Sequence, residues 1–205
     1  HLIPRFFDVD QGTVSIGSVD IRQMESRYLM EQVSFVFQDV YLFKQSIRDN
    51  IRLGNQNASD EQVQAAAKAA QCHDFIMALP NGYDTVIGEQ GVHLSGGEQQ
   101  RIAIARAIVK DAPVVVLDEA TAFADPENEY LIQKAFEKLM HGKTVIIIAH
   151  RLSTVRNADH IIVMDNGHVA EEGTHDTLLQ KGGRYASMWR TYNETASWTM
   201  EKGAQ

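Results

Sequence analysis

Residues 93–107 read HLSGGEQQRIAIARA and place one serine and two glycines at the start of a strongly apolar helix. The first turn of a helix has free backbone N–H groups and a partial positive charge, and glycine lets a ligand approach the backbone closely. Such a helix start suits a phosphate group. A second interpretation stays open, in which Ser95 and Glu98 form an S-x-x-E capping box and the glycines only make a turn.

The chain on either side of this helix predicts an α/β fold. Buried strands are predicted at 114–118, 145–150 and 161–165, and Pro126 opens a helix that Gly142 ends. Continuous β-branched strands that alternate with helices indicate a parallel sheet covered on both faces. Upstream, the sequence predicts a hairpin over 13–20, a strand over 33–37 and two serine-capped helices, over 46–53 and 59–71.

Composition limits the class of protein. The 205 residues suit one domain, and 44% of them are hydrophobic, which is enough for a core. The formal net charge of −8 argues against a nucleic-acid binder, because phosphate backbones require a basic face. The single cysteine, Cys72, forms no internal disulfide and fits a reducing compartment. No apolar run approaches the roughly 20 residues of a membrane helix.

Polar side chains follow three of the predicted strands at the point where each strand ends. Asp118 and Glu119 end one strand, His150 ends the next, and Gln38 follows the N-terminal one. Ligands of open α/β sheets bind beyond the carboxyl ends of the strands. A single histidine there is usually structural, but three such ends together with a phosphate-binding helix start predict a site.

These segments resemble the ATPase domains of ABC transporters over nearly the whole chain. VVVLDEAT (114–121) looks like a Walker B strand with its catalytic glutamate, and LSGGEQQR (94–101) looks like the signature motif. TVIGEQG (85–91) resembles a segment of exporter-type members. The resemblance implies a P-loop NTPase (RecA-like) core with a mostly parallel sheet, in about 1–39 and 107–205. It also implies a helical signature subdomain in about 40–106 of a single domain, 1–205.

The resemblance also implies roles for the residues at the strand ends, in a head-to-tail pair of domains that encloses two ATP molecules. Asp118 is expected to hold Mg²⁺, and Glu119 to polarise the attacking water as general base. Gln38 is expected to touch Mg²⁺ and that water and to report to the transmembrane domains. His150 is expected to hydrogen-bond the γ-phosphate.

The signature helix is expected to act on the nucleotide of the partner domain. In this interpretation Ser95, Gly96 and Gly97, with Glu98, contact the γ-phosphate that the second nucleotide-binding domain holds. Asp125 falls at the position of the family's D-loop aspartate, at the dimer seam, and is also a good N-cap for the helix at Pro126.

The sequence lacks the phosphate loop G-x-x-x-x-G-K-[ST] that such an ATPase needs. Its only Gly-Lys-Thr, at 142–144, has Glu137 where the first glycine belongs and leads from helix into strand instead of strand into helix. Gly142 is interpreted as a helix C-cap and Lys143 as a surface charge. The family places its loop shortly before residues 2–10, so we interpret the chain as N-terminally truncated. The missing part would include a central strand beside 114–118, leaving two unpaired edges.

The expected parent is thus an ATPase that powers movement across a membrane from its cytoplasmic face, with transmembrane domains and a second nucleotide-binding domain as partners and no nucleic acid. Alone, the fragment is expected to be inactive. Two alternatives stay open: a non-catalytic interaction fragment and a soluble ABC ATPase. Transport direction also stays open. Leu42 and Phe43 are candidates for contact with the transmembrane part or for the core.

Overall fold

The computed structural model describes residues 1–88, 92–118, 126–149 and 152–202. The chain divides into two compact units, 1–148 and 149–205. The described residues of the first unit form four helices of six to ten residues, two longer helices and five strands. They are β1 Ser15–Ile16, β2 Val19–Asp20, α1 Ser26–Gln32, β3 Val33–Val36, α2 Ile47–Arg52, α3 Asp60–Ala69, α4 His73–Ala78, α5 Gly96–Lys110, β4 Val114–Asp118, α6 Pro126–Met140 and β5 Thr144–Ile148. Short 3-10 helices lie at Ile21–Gln23 and Gly82–Asp84.

The described residues of the second unit form one hairpin and three helices, with a small core of their own. Its described elements are α7 Leu152–Val155, β6 Ile161–Asp165, β7 His168–Gly173, α8 His175–Lys181 and α9 Arg184–Lys202. Ile161, Val163, Leu178 and Tyr185 form its buried centre. None of the helices in the described part of the chain has both the length and the apolarity needed to cross a membrane.

The expected parallel sheet is present in the first unit as β3-β4-β5, with β4 in the middle. Val36 lies opposite Leu117, and Asp118 lies opposite Ile148, so the three strands end at the same edge. One expectation was wrong: the unpaired edge does not lie beside the 114–118 strand, because β4 has a partner on each side. In the described part of the chain, the second edge of β5 has no strand partner.

The strand predicted at 145–150 as buried is the most exposed strand of this sheet. Ile146 and Ile147 are each 37% exposed, and Ile148 is 49% exposed. By contrast, Val115 in the central strand is fully buried. The apolar sequence of β5 is typical of a strand that is paired on both edges and covered on both faces. Its isoleucines are exposed because one edge of β5 is open.

The strand predicted at 161–165 exists, but its expected place in the parallel sheet and its full burial were wrong. β6 pairs antiparallel with β7, and its side chains alternate, with Ile161 and Val163 buried and Ile162 and Met164 exposed. The pair is closed by Asn166-Gly167, both with positive φ, of 48° and 80°. Asn-Gly is a strong signal for such a two-residue hairpin turn, and the sequence interpretation missed it.

Local signals at the helix starts are confirmed. The side chains of Ser46 and Ser59 accept hydrogen bonds from the N3 backbone of α2 and α3, and Ser59 shares a capping box with Gln62. Gly17-Ser18 closes the β1-β2 hairpin with positive φ at both residues. These caps satisfy backbone groups that a helix or hairpin end would otherwise leave without a partner.

Helix α5 is the centre of the first unit. Its fully buried Ile102, Ile104 and Ala105 pack in one core with α2, α3, β4 and α6. Gly54, just after α2, lies so close to α5 that a Cβ atom there would stand 2.1 Å from the backbone oxygen of Arg106. Only glycine permits this approach, because a backbone atom cannot turn aside as a side chain can.

Gly54→Ala is therefore expected to lower the free energy of unfolding by about 2–3 kcal/mol, in the upper part of the range for overpacked cores. Urea denaturation followed by circular dichroism measures it. The exposed residue Asn57, in the same connection, is the control, and Asn57→Ala should change stability by less than about 0.5 kcal/mol. Equal effects of the two substitutions would contradict the close-packing argument.

Candidate functional site

Two of the predicted site residues lie at the carboxyl edge of the sheet. Asp118 is the last residue of β4 and is half-buried, and Gln38 is exposed two residues beyond the end of β3. Adjacent strands of a sheet lie roughly 4.8 Å apart, so the register brings both side chains to one edge. Glu119, Asp125 and His150 lie outside the described residues, and their roles stay predictions.

The capping box at the start of α5 is present. The Ser95 backbone N–H donates to Glu98 Oε2 at 2.8 Å, and the Ser95 hydroxyl donates to the same oxygen at 2.8 Å. The Glu98 N–H donates back to Ser95 Oγ at 3.3 Å. Ser95 and Gly96 are nevertheless exposed, so the helix start stays open to a ligand. The Ser95 hydroxyl can donate only one hydrogen bond, so a phosphate that accepted from it would replace its bond to the Glu98 carboxylate.

An open groove of about 260 Å³ joins the sheet edge to the start of α5. It is lined by Gln38, Asp39, Val40, Gly96, Gln99 and Gln100. The structure therefore brings together two predicted site residues, Gln38 and Gly96. Gln100 was missed by the sequence interpretation: it is fully buried, and neither side-chain amide atom has a hydrogen-bond partner among the described residues.

Gly97 has a structural role that the motif alone does not reveal. It is buried, and a Cβ atom at this position would lie 2.8 Å from Cγ and Oδ1 of Asn128 on α6. Asn128 cannot simply move away, because its Oδ1 accepts a hydrogen bond from the Arg101 guanidinium. The second signature glycine thus permits close packing of α5 on α6.

Gly97→Ala is expected to destabilise the fold by about 1–3 kcal/mol, because Asn128 must shift and give up its bond to Arg101. Thermal unfolding measures the change. Gly96 is the matched control, since it is the neighbouring glycine of the same helix turn but is exposed. Gly96→Ala should leave the unfolding midpoint nearly unchanged, and an equal loss in both variants would refute the packing role.

The Gly-Lys-Thr at 142–144 is structural, as expected. Gly142 follows α6 with a φ of 72°, as a helix C-terminal glycine does, and Thr144 begins β5. Lys143 departs from the expected free surface charge: its side chain is only 12% exposed and its Nζ lies 2.9 Å from Asp111 Oδ1. The tripeptide joins a helix to a strand and does not form a phosphate loop.

The donors at the sheet edge suit one metal class. In the described part of the chain, no group of three or more histidine, cysteine, aspartate or glutamate residues could hold a metal ion. Asp118 and Gln38 instead provide a carboxylate and an amide oxygen. Mg²⁺ suits such a sparse oxygen site, since it keeps several waters and takes further ligands from nucleotide phosphates.

The parallel sheet with its polar carboxyl edge, beside a helix that opens on two glycines, is typical of the P-loop NTPase fold, and the matches to known proteins assign the chain to that class. The family model described as "ABC transporter" matches residues 1–122, which is more than half of the chain. The chain belongs to the ABC transporter family.

Individual relatives are close in sequence over nearly all of the chain. It is 52% identical over 185 residues to an ATP-dependent lipid A-core flippase of Syntrophus aciditrophicus, a match that covers 90% of this chain and 31% of the relative. It is also 52% identical over 190 residues to a mycobactin import ATP-binding/permease protein of Mycolicibacterium smegmatis, covering 93% of this chain and 22% of that protein.

A solved structure shares the fold. The structure of a bacterial Atm1-family ABC exporter with ATP bound matches with a TM-score of 0.84 and 44% identity, over 92% of this chain and 33% of that one. The chain thus spans about a third or less of the length of the proteins it matches.

Proposed function

We propose that this chain is the ATP-binding and ATP-hydrolysing domain of an ABC transporter that drives a substrate across a membrane from its cytoplasmic face. The observation that carries the proposal is the groove between the two motifs. It joins Gln38, at the carboxyl edge of the sheet beside Asp118, to Gly96 of the signature helix.

The proposed chemistry is phosphoryl transfer to water. Asp118 would hold Mg²⁺, and Gln38 would contact the metal ion and the attacking water. Glu119 would accept a proton from that water as general base, and His150 would donate a hydrogen bond to the γ-phosphate. The bound metal ion would neutralise charge that develops on the phosphate oxygens.

The signature helix would contact a nucleotide held by a second domain, in a head-to-tail dimer. Ser95 and Gly96 are exposed at its start, where free N–H groups attract phosphate. Gly97 supplies a backbone N–H while packing on α6, and Glu98 contacts the site through the Ser95 hydroxyl, whose bond to Glu98 a phosphate would replace. Asp125 is proposed to lie at the dimer seam.

The phosphate loop is proposed to come from a part of the full-length protein outside this sequence. The 205 residues contain no G-x-x-x-x-G-K-[ST], and the matched proteins are about three or more times longer. The same segment would supply a strand for the open edge of β5. Within the chain we propose a RecA-like core in about 1–39 and 107–205 and a helical subdomain in about 40–106.

The absent loop also favours a second candidate for the chain taken alone, a non-catalytic module that docks on a partner. The proposed transmembrane partners and the second nucleotide-binding domain would then be its binding partners without turnover. Restoring the upstream segment separates the two candidates, because only an ATPase domain regains hydrolysis. The matched relatives have different named cargoes and directions, so the proposal extends to ATP-driven transport and no further.

The test is ATP hydrolysis by the full-length protein in lipid nanodiscs. We expect turnover that requires Mg²⁺ and is abolished by chelation with EDTA. Asp118→Asn should raise the Mg²⁺ concentration needed for half-maximal turnover at least ten-fold, whereas Asp111→Asn, at the exposed aspartate that pairs with Lys143, should not. Absence of hydrolysis in the folded full-length protein would refute the ATPase proposal.

A further inference from the structure

Helix α5 binds the loop that follows β3 through one arginine. Arg106 Nε donates to the backbone oxygen of Asn50 at 2.9 Å, and its Nη2 donates to Asn50 Oδ1 at 3.2 Å. Its Nη1 donates to the backbone oxygen of Tyr41 at 3.2 Å. One guanidinium therefore joins three oxygens that are contributed by the loop and by α2.

Asn50 passes this contact on to the loop. Its Oδ1 also accepts from the Phe43 N–H at 2.9 Å, and its Nδ2 donates to the Phe43 backbone oxygen at 3.0 Å and to the Ser46 backbone oxygen at 3.1 Å. Asn50 is fully buried, and its side chain pairs with both backbone groups of Phe43. The Asn50 side-chain amide thus supplies the two hydrogen bonds that a neighbouring strand would otherwise give to the Phe43 backbone.

The environment of Arg106 fits a positioning role. Burial lowers the pKa of its guanidinium, and in the described part of the chain it makes no ion pair with a carboxylate. Arg106 is half-buried, and a partly desolvated cation held only by amide and carbonyl oxygens is destabilising when one of these contacts is lost. Further along α5, Lys110 Nζ donates to the backbone oxygen of Val33 at 2.7 Å. The helix therefore holds both the start of β3 and the loop after it.

The loop after β3 contains a predicted site residue at its start and two exposed aromatic residues in its middle. Gln38 stands at its start, at the sheet edge. Tyr41 and Phe43 project from its middle, 69% and 47% exposed, with their rings in T-shaped contact at 5.0 Å. Leu42, between them, packs against the core.

We propose that Arg106 and Asn50 form a clamp, a pair of positioning residues that make the loop over 38–45 and the signature helix α5 move as one body. A force applied to the exposed pair Tyr41 and Phe43 would then reach Gln38 and the start of α5 together. The proposal rests on the proposed function for its catalytic consequence, but the clamp itself is a property of the fold.

The clamp requires the shape of a guanidinium. Lysine keeps the positive charge but presents one nitrogen, which cannot reach the Asn50 and Tyr41 oxygens together as the planar fork does. Arg106→Lys should therefore release the loop with the charge unchanged. Arg52→Lys is the matched control, because Arg52 is also half-buried and donates to a backbone oxygen, that of Ala58, but does not touch the loop.

The first readout is amide hydrogen exchange in the full-length protein. Arg106→Lys should speed exchange at least ten-fold over residues 41–46, where the Phe43 N–H donates to Asn50 Oδ1 and the Gln45 N–H donates to the Phe43 backbone oxygen, and leave residues 60–69 of α3 unchanged. Arg52→Lys should leave the loop unchanged. If Arg106→Lys does not accumulate, Arg106→Met removes the charge at similar volume. Unchanged loop exchange in a folded Arg106 variant would overturn the proposal.

The second readout is steady-state ATP hydrolysis by the same protein. Because neither Arg106 nor Asn50 is among the proposed nucleotide contacts, Arg106→Lys should lower kcat at least five-fold and leave the KM for ATP within two-fold, and Arg52→Lys should change neither. A rise in KM equal to the fall in kcat would contradict a positioning role. If the unmodified protein hydrolyses no ATP, the proposed function fails, and the exchange data still decide whether the clamp exists.

Discussion

In a calorimetric titration, the dissociation constant for MgATP is expected to be between three and four orders of magnitude higher for the 205-residue chain than for the same chain extended upstream through a phosphate loop. Hydrogen bonds to charged groups contribute about 1.5–3 kcal/mol each, and the absent loop would supply at least three of them. The loss is on the order of 5 kcal/mol, and each 1.4 kcal/mol is a factor of ten in affinity.

Two controls make this titration decisive. Circular dichroism and sedimentation must show that the short chain is folded, since the open edge of β5 and its exposed isoleucines favour association. MgADP should follow MgATP in the extended chain, because the loop contacts phosphates that both nucleotides share. Equal MgATP affinity in the two chains would mean that residues assigned here to other roles hold the phosphates.

The second large effect is expected at Glu119. In the full-length protein, Glu119→Gln keeps the shape of the side chain but removes the proton acceptor, and general-base catalysis contributes about 10²–10⁴-fold to a rate. We therefore expect kcat for ATP hydrolysis to fall by that factor, with MgATP affinity unchanged. The measurement is single-turnover hydrolysis of radiolabelled ATP beside equilibrium binding.

Glu137→Gln is the matched control for this variant. Glu137 is an exposed glutamate on α6, away from the strand ends, and its amide variant should retain full turnover. A Glu119→Gln protein that hydrolyses ATP within three-fold of the unmodified rate would remove Glu119 from the role of general base. Binding lost together with turnover would instead indicate that Glu119 supports the nucleotide or the metal ion.

The sequence predicted those parts of the fold that local chemistry determines. Ser95 and Glu98 signal a helix start on their own, because the capping box needs only residues three apart, and the box is present. The β-branched run at 114–118 predicted a buried strand, which β4 is; its central position in the sheet was not predicted. The Asn166-Gly167 turn is an equally local signal for a hairpin. Because it was not used, the 161–165 strand was predicted in the parallel sheet instead of in a hairpin with β7.

The rest depends on tertiary contacts that a pattern does not contain. Arg106 and Asn50 are 56 positions apart, and in the sequence each is an ordinary polar residue on a helix face. They meet only because α2 packs closely on α5 at Gly54. The sequence predicted only a ligand-contact role for Gly97. Its packing role was not predictable, because Asn128 is brought against it by the tertiary fold. The exposure of β5 likewise follows from its open edge, which the residues of the strand do not indicate.

The central claim is that the signature helix of one domain completes the ATP site of a second domain. The direct test mixes two inactive full-length variants: one lacks the phosphate loop, and the other carries Ser95→Arg. Each alone should show no ATP hydrolysis, and the equimolar mixture should recover about a quarter of the unmodified rate, because half of its dimers hold one complete site of two. Hydrolysis by the Ser95→Arg protein alone, or none in a mixture shown to form heterodimers, would contradict the account.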